Sequence, residues 1–210
     1  MAFQEAKPFL LVIGIAAAVS FCFFPPLALL LLLAFLFILY FFRDPERPIP
    51  QEPTAIVSPA DGKIVVVDEA TERFFSQKKM RRIGIFLSVF DVHVNRSPFE
   101  GTVATVERHD GQFLDARNQE AELRNEDQNW LIETPRGPVV VRQIAGLIAR
   151  RIVAWKKKGD ALAKGERMGM IRFGSRTDIY FPLECEVVVK PGDRVQGGSA
   201  ILAHWVKIEV

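Results

Sequence analysis

The sequence contains only two cysteines among its 210 residues, and they lie in unlike surroundings. Cys22 falls within a long apolar stretch, whereas Cys185 lies in a predicted strand. No Cys-x-x-Cys pair and no cluster of histidines accompanies them, so the sequence predicts neither a disulfide nor a zinc site. We interpret both cysteines as small apolar side chains in a reducing compartment, and we expect no bound metal.

The sequence also lacks a large excess of charge of either sign. It has 27 lysines and arginines against 25 aspartates and glutamates, which gives a formal net charge of +2. No basic block is interleaved with aromatic residues, as a nucleic-acid-binding surface would require. We therefore expect no nucleic-acid partner.

Charged residues are absent altogether from positions 9–42, whereas the composition from Arg43 onward is that of a soluble domain. Pro25 and Pro26 divide this stretch into two apolar runs, residues 9–24 and 27–42, and the prolines are expected to break the helix. A helix needs roughly 20 residues to cross a bilayer, so each run is slightly short for a span.

This pattern favours a transmembrane helical hairpin over two alternatives that remain open. Lys7 precedes the first run, and Arg43 and Arg47 follow the second, so the positive-inside tendency places both ends in the cytoplasm. The alternatives are one kinked span and a cleaved signal peptide, although no small-x-small cleavage site follows a short apolar core. We predict a membrane anchor over residues 1–42, located in the cell membrane, with the remaining domain on the cytoplasmic side.

The remainder of the chain predicts a proline-rich strap followed by a mainly β domain. Residues 43–57 carry four prolines among charged residues, which suits an extended segment along the lipid headgroups. Short β-branched runs then alternate with turn signals such as Asp61-Gly62, so we assign residues 58–210 to one β domain. The polar stretch 107–128 lacks β periodicity, and its length predicts a functional loop.

Two similar segments support a barrel-sandwich fold: Lys-Gly-Asp-Ala-Leu-Ala-Lys-Gly at 158–165 and Pro-Gly-Asp-Arg-Val-Gln-Gly-Gly at 191–198. Each predicts a turn, a short strand and a second turn. The pattern resembles the turns of biotinyl and lipoyl carrier hammerheads, in which two related halves form a flattened β-sandwich. Those carriers present a modifiable lysine within Met-Lys-Met or Asp-Lys-Ala, and neither segment here has that setting, so we do not expect carrier function.

Several further segments together resemble the short form of the phosphatidylserine decarboxylase proenzymes, from about Phe41 to the C-terminus. They are Phe-Phe-Arg-Asp-Pro-Glu-Arg at 41–47, Ser-Pro-Ala-Asp-Gly at 58–62, Asp-Val-His-Val-Asn-Arg at 91–96, Gln-Ile-Ala-Gly-Leu-Ile-Ala-Arg-Arg at 143–151 and Gly-Ser at 174–175. The resemblance implies self-cleavage between Gly174 and Ser175 into a β chain, residues 1–174, and an α chain, residues 175–210. These two chains would form a heterodimer, and assembly into a higher oligomer remains open.

Decarboxylation of an amino acid needs an electron sink, which a carbonyl group can supply by condensing with the substrate amine. The resemblance implies that this carbonyl is a pyruvoyl group made from Ser175, and that phosphatidylserine is converted into phosphatidylethanolamine and CO2. An alternative enzyme would decarboxylate the serine headgroups of archaeal ether lipids. A non-enzymatic alternative is a membrane-anchored barrel-sandwich adaptor, but residues 58–210 contain no coiled-coil heptads that would favour it.

The resemblance also implies which residues assist Ser175, which needs a base to become a good nucleophile. Asp61 matches the family's aspartate, and His93 matches the first histidine of the family pattern Asp-Tyr-His-x-x-His-x-Pro. Arg96 stands where the second histidine would be, so either His93 or Asp61 is left as the base for cleavage. His93 is also our candidate for reprotonating the substrate carbanion. The candidates for binding the substrate's phosphate and carboxylate are Arg96, which we rank first, Arg150, Arg151 and Arg176.

Overall fold

A computed structural model of the chain describes residues 1–115, 119–147, 151–173 and 175–206. The α-helices are α1 (Ala2–Phe23), α2 (Pro25–Phe41) and α3 (Gln119–Arg124). The strands are β1 (Ala55–Val57), β2 (Gly62–Thr71), β3 (Lys79–Leu87), β4 (Val94–Arg96), β5 (Gly101–His109), β6 (Asp127–Thr134), β7 (Gly137–Ala145), β8 (Ile152–Ala154), β9 (Ala161–Leu162), β10 (Arg167–Ile171), β11 (Ser175–Phe181), β12 (Glu186–Val187), β13 (Arg194–Val195) and β14 (Ile201–His204). The chain divides into two compact units, Met1–Glu46 and Arg47–Val210.

The first unit consists of α1 and α2, which pack against each other in opposite directions. The ring of Phe9 in α1 stacks on that of Phe42 at 6.1 Å, while Gly14 in α1 faces the ring of Phe35 in α2. The chain turns at Phe24, after which Pro25 occupies the first turn of α2, where its missing N–H leaves no hydrogen bond unmade. By length and composition α1 is able to cross a membrane, whereas α2 is 17 residues long.

The second unit is mainly β, which confirms the predicted fold class. Its largest sheet has eight antiparallel strands in the order β13-β2-β3-β11-β7-β6-β5-β9. Two three-stranded sheets, β1-β14-β12 and β4-β10-β8, complete the described part of this unit. The polar stretch 107–128, predicted as a loop, contains the end of β5, α3 and the start of β6.

The two similar glycine-rich segments occupy equivalent places in the large sheet. One contains β9 and the other contains β13, and these two-residue strands are the outermost strands at opposite edges. Glycines with positive φ flank both strands, at Gly159 and Gly165 in one segment and at Gly192 and Gly198 in the other. Both segments therefore form the predicted turn, short strand and turn.

β11 lies at the centre of the large sheet and is buried along its whole length. Because side chains alternate between the faces of a strand, Ser175, Thr177 and Ile179 share one face, and Arg176 and Asp178 share the other. Ile179 belongs to the main hydrophobic core, together with residues such as Ile83 and Ile85 of the neighbouring β3. Ser175 is thus fixed at the end of a strand that the core holds in place.

Candidate active site

Three neighbouring strands of the large sheet begin or end beside Ser175. Ser175 is the first residue of β11 and pairs with Leu87, the last residue of β3, and with Ala145, the last residue of β7. β2 begins at Gly62 and pairs with β3 on the side away from β11. Since neighbouring strands lie about 4.8 Å apart, the start of β2 is about 10 Å from Ser175. The sheet therefore brings distant segments of the sequence together at one end of its central strands.

Ser175 is fully buried, and its Oγ has no hydrogen-bond partner among the described residues. A buried hydroxyl without a partner costs about 1–3 kcal/mol, so such groups are uncommon unless a site requires them. The backbone just before it is also unusual, because Phe173 has a φ of 66°, in the left-handed region that bulky side chains rarely adopt. Gly174, the other residue of the predicted cleavage site, lies outside the described residues.

A buried row of polar side chains lies on the Ser175 face of the sheet, and no pattern in the sequence indicated it. Asn95 donates to Oγ1 of Thr177 at 3.1 Å, and its own Oδ1 accepts from Gln143 at 2.7 Å. Trp130 and Gln128 in turn donate to Oε1 of Gln143. The row ties β4 to β11 and β7, because Thr177 is two residues after Ser175 and shares its face. It stiffens the strand that carries the serine.

The imidazole of His93 is buried, and its Nδ1 lies 2.9 Å from the backbone oxygen of Asp91. A carbonyl oxygen only accepts hydrogen bonds, so Nδ1 carries a proton, and whenever the ring is neutral its lone pair is on Nε2. The backbone oxygen of His93 accepts from the amide of Ile171, four residues before Ser175. This pairing places His93 beside the segment that leads into β11.

The carboxylate of Asp61 is held on both of its oxygens. Oδ2 accepts from the Arg47 guanidinium at 2.6 Å, and Oδ1 accepts from the backbone amide of Gly197 at 2.8 Å. Asp61 and Asp91 both line a cavity of about 530 Å³, together with Arg194 and Ser199. Arg194 donates to Asp91 at 2.5 Å, and Oγ of Ser199 is buried without a partner among the described residues. Both carboxylates that line the cavity are therefore in ion pairs, Asp61 with Arg47 and Asp91 with Arg194.

The described candidate arginines lie on different strands and loops of the second unit. The Arg96 guanidinium is buried and donates to the backbone oxygen of Gly165, and the backbone of Gly198 lies against its side chain. Arg96 thus links the two glycine-rich segments, and its role in substrate binding stays a prediction. Arg151 is exposed and its backbone oxygen accepts from the amide of Arg172, three residues before Ser175. Arg150 lies outside the described residues.

Arg176 lies on the opposite face of β11 from Ser175, where it belongs to a buried network of charges. It makes two hydrogen bonds with Asp178, at 2.6 and 2.9 Å, and lies 3.6 Å from Glu122 of α3. Burial raises the pKa of the Asp178 carboxyl above its ordinary value, and the positive charge of Arg176 opposes that rise. The face it occupies and its two carboxylate neighbours argue against the substrate-binding role that the sequence suggested for Arg176.

We expect Arg176→Met to destabilise the fold by about 3–5 kcal/mol, because it leaves the fully buried Asp178 without its cation. A carboxyl whose pKa is higher in the folded chain than in the unfolded chain binds a proton on folding. Its contribution to stability is therefore full at low pH and is lost as the pH rises through the folded pKa. The difference from wild type should thus be larger at pH 8 than at pH 5 in guanidinium unfolding followed by tryptophan fluorescence.

The matched control for this experiment is the double variant Arg176→Met/Asp178→Asn, which removes the carboxyl as well as the cation. Its stability difference from wild type should not grow between pH 5 and pH 8. Equal pH dependence in the single and double variants would contradict the assignment of the effect to Asp178.

The described residues contain no group of three or more His, Cys, Asp or Glu side chains that could hold a metal ion. Both cysteines are free, with Cys22 exposed and Cys185 buried.

Comparison with known proteins gives long matches that include the strand ends around Ser175. The sequence profile of the family described as phosphatidylserine decarboxylase matches residues 34–203. A phosphatidylserine decarboxylase proenzyme from Solibacter usitatus is 49% identical over 189 residues, which cover 90% of this chain and 89% of that protein. Proenzymes of the same name from Carboxydothermus hydrogenoformans and Desulfotalea psychrophila are 48% and 41% identical, over 85% and 97% of this chain and 84% and 96% of theirs.

Proposed function

This chain belongs to the phosphatidylserine decarboxylase family of enzymes, and we propose that it converts phosphatidylserine into phosphatidylethanolamine and CO2. The observation that carries the proposal from the family to a mechanism is the buried, unpartnered hydroxyl of Ser175 beside a strained backbone. The relatives are named for phosphatidylserine and as proenzymes, so neither the ether-lipid enzyme nor the non-enzymatic adaptor is retained.

We propose that Ser175 is the source of a pyruvoyl cofactor. Its Oγ would attack the carbonyl carbon of Gly174, and the peptide C–N bond would break to leave an ester and a free amine. Elimination then removes the Cα proton of residue 175 and breaks the bond between Oγ and Cβ, which leaves residue 174 with a carboxylate. Water replaces the nitrogen of residue 175 with oxygen, releasing ammonia. An Oγ not engaged by another described side chain suits the first of these steps.

The residues around Ser175 fit such a group. A pyruvoyl group needs no additional volume there, because Cα would become the ketone carbon with its oxygen in place of the backbone nitrogen, and Cβ would become a methyl group. The buried row through Thr177 and Asn95 keeps β11 in place. When present, the pyruvoyl carbonyl supplies the electron sink for loss of CO2. His93 would then return a proton to the substrate carbanion from Nε2, after Nε2 has taken up that proton from solvent.

The base that starts cleavage is assigned to Asp61 or His93, as the family pattern implies. The two hydrogen bonds to Asp61 engage both of its carboxylate oxygens. They also give it a positioning role, since it joins Arg47, near the start of the strap, to Gly197 in the future α chain. Of the predicted arginines, the exposed Arg151 remains a candidate for the substrate's phosphate or carboxylate.

We propose that the two products stay together as a heterodimer. The α chain, residues 175–210, would contribute β11, which is hydrogen-bonded to β3 and β7 of the β chain along both sides. Separation of the chains would break the central strand out of the sheet and expose Ile179 and Phe181 of the core. The nick is therefore expected to leave the fold intact.

We propose that the first unit anchors the enzyme in the cell membrane and that the second unit lies on the cytoplasmic side. The length and apolar character of α1 support the anchor. The positions of Lys7, Arg43 and Arg47 at the ends of the charge-free stretch support the sidedness. An anchored enzyme meets its lipid substrate at the bilayer surface and has no need to extract it.

Intact-mass measurement of the purified wild-type protein tests this function directly. We expect two species under denaturing conditions, corresponding to residues 1–174 and 175–210 with a pyruvoyl terminus, and one co-migrating complex in mild detergent. The same preparation should release CO2 from phosphatidylserine. A single unprocessed chain that still decarboxylates the lipid would contradict the pyruvoyl mechanism.

A further inference from the structure

Two large apolar side chains of the second unit are exposed on either side of Ser175. Phe90 is 64% exposed and lies three residues after the end of β3, while Leu147 is 66% exposed and lies two residues after the end of β7. β11 is the only strand between β3 and β7, so the ends of those two strands are about 10 Å apart. The two side chains therefore flank the start of β11.

The turn that carries Phe90 is rigidly built. The amide of Asp91 donates to the backbone oxygen of Ser88, and the Asp91 carboxylate accepts from both the amide and the hydroxyl of Ser88. These bonds fix Phe90 at the tip of a tight turn, where most of the residue is exposed to water. Exposed aromatic side chains on a fixed turn are typical of surfaces that contact another apolar phase.

Basic side chains accompany the apolar ones at the same edge. Arg194 is exposed and bonds to Asp91, next to Phe90, and Arg151 is exposed beside the segment that leads to Ser175. Apolar tips that enter a bilayer with arginines beside them match the chemistry of a membrane surface, where anionic headgroups lie above the acyl chains. Neither a purely apolar nor a purely polar partner would match both features.

We propose that Phe90, Leu147, Arg151 and Arg194 form a docking edge that seats the second unit on an anionic lipid bilayer with Ser175 facing the headgroups. The inference rests on the proposed function, because it assumes that the substrate is a membrane lipid. In this arrangement the two apolar side chains enter the acyl region and the arginines contact phosphates or carboxylates. Docking thereby presents the headgroup to the start of β11 while the acyl chains stay in the bilayer.

The test compares two forms of the substrate with the full-length chain. Phe90→Asp should lower the turnover of phosphatidylserine in phosphatidylcholine vesicles about tenfold, because a charge replaces an inserted ring. Turnover of monomeric short-chain phosphatidylserine in water should stay within twofold of wild type, and Phe90→Leu should retain most of the vesicle activity. The matched control is Val188→Asp, since Val188 is 51% exposed but follows β12 in a different sheet, and it should leave both rates unchanged.

A second measurement does not depend on catalysis. Phe90→Trp should gain fluorescence quenching from vesicles with brominated acyl chains, relative to wild type, whereas Val188→Trp should not. Equal loss of both substrates in Phe90→Asp, or equal quenching of the two tryptophan variants, would overturn the docking edge. Failure of the wild-type protein to process itself or to act on the short-chain lipid would instead overturn the proposed function, and the quenching comparison would still test docking.

Discussion

A chain with Ser175→Ala is expected to remain a single polypeptide of 210 residues and to release no measurable CO2 from phosphatidylserine. Alanine has no oxygen to attack the Gly174 carbonyl, so no ester forms at Cβ and there is no group for the elimination that leads to a pyruvoyl group. Self-cleavage and decarboxylation should therefore both be lost completely. The measurement is intact mass under denaturing conditions combined with lipid turnover.

The variant should nevertheless fold at least as stably as the wild-type precursor. The Ser175 hydroxyl is buried and has no partner among the described residues, so its removal breaks no described hydrogen bond and relieves an unmet desolvation cost of about 1–3 kcal/mol. This separates a loss of chemistry from a loss of structure. Ser199→Ala is the matched control, because Ser199 also has a buried, unpartnered Oγ, and it should still process itself. Cleavage or normal turnover in Ser175→Ala would contradict the assignment.

The strands were largely predictable because their side chains alternate against a core. In β11, Ile179 and Phe181 alternate with polar residues, and both lie in the main hydrophobic cluster. The glycine-rich segments were equally informative, since Gly165 and Gly198 adopt the positive φ that their turns require. Local rules of this kind operate within a few residues and are visible in one sequence.

The helix α3 was missed for a physical reason. It has only six residues, too few for periodicity or intrinsic propensity to stabilise it alone. Glu122 ties it to the sheet through hydrogen bonds or ion pairs with Arg82 and Arg176, which lie 40 and 54 residues away. Tertiary contacts therefore hold α3 in place, and they are not encoded in the local pattern.

Arg176 and Arg96 differ in how much of their surroundings could be predicted from the sequence. Strand alternation alone places Ser175 and Arg176 on opposite faces, and this placement was available before the structure. The partner of Arg96 was not, because Gly165 lies in a different segment. The same holds for Asp61, whose partners Arg47 and Gly197 come from the strap and from the far end of the chain.

His93→Asn separates the two tasks that the family pattern assigns to this histidine. The asparagine amide retains a donor for the Asp91 backbone oxygen, in place of Nδ1, but has nothing equivalent to the Nε2 lone pair. We expect decarboxylation to fall by about 10²–10⁴-fold, the usual contribution of a general acid or base, while the fold is preserved. His93→Ala should lower turnover similarly and should also lose the ring's packing, so the asparagine variant is the cleaner measurement.

Chain separation in the same variants identifies the base for self-cleavage. If His93→Asn still cleaves and Asp61→Ala does not, then Asp61 or its contacts with Arg47 and Gly197 govern the attack by Ser175. If neither variant cleaves, both His93 and Asp61 are needed for self-cleavage, a step that comes before any substrate binds. Arg96→Ala is the comparison for a structural arginine, because an arginine stays protonated near neutral pH and is a poor proton acceptor. Normal cleavage together with normal turnover in His93→Asn would contradict the catalytic role of His93 and leave its buried ring a structural one.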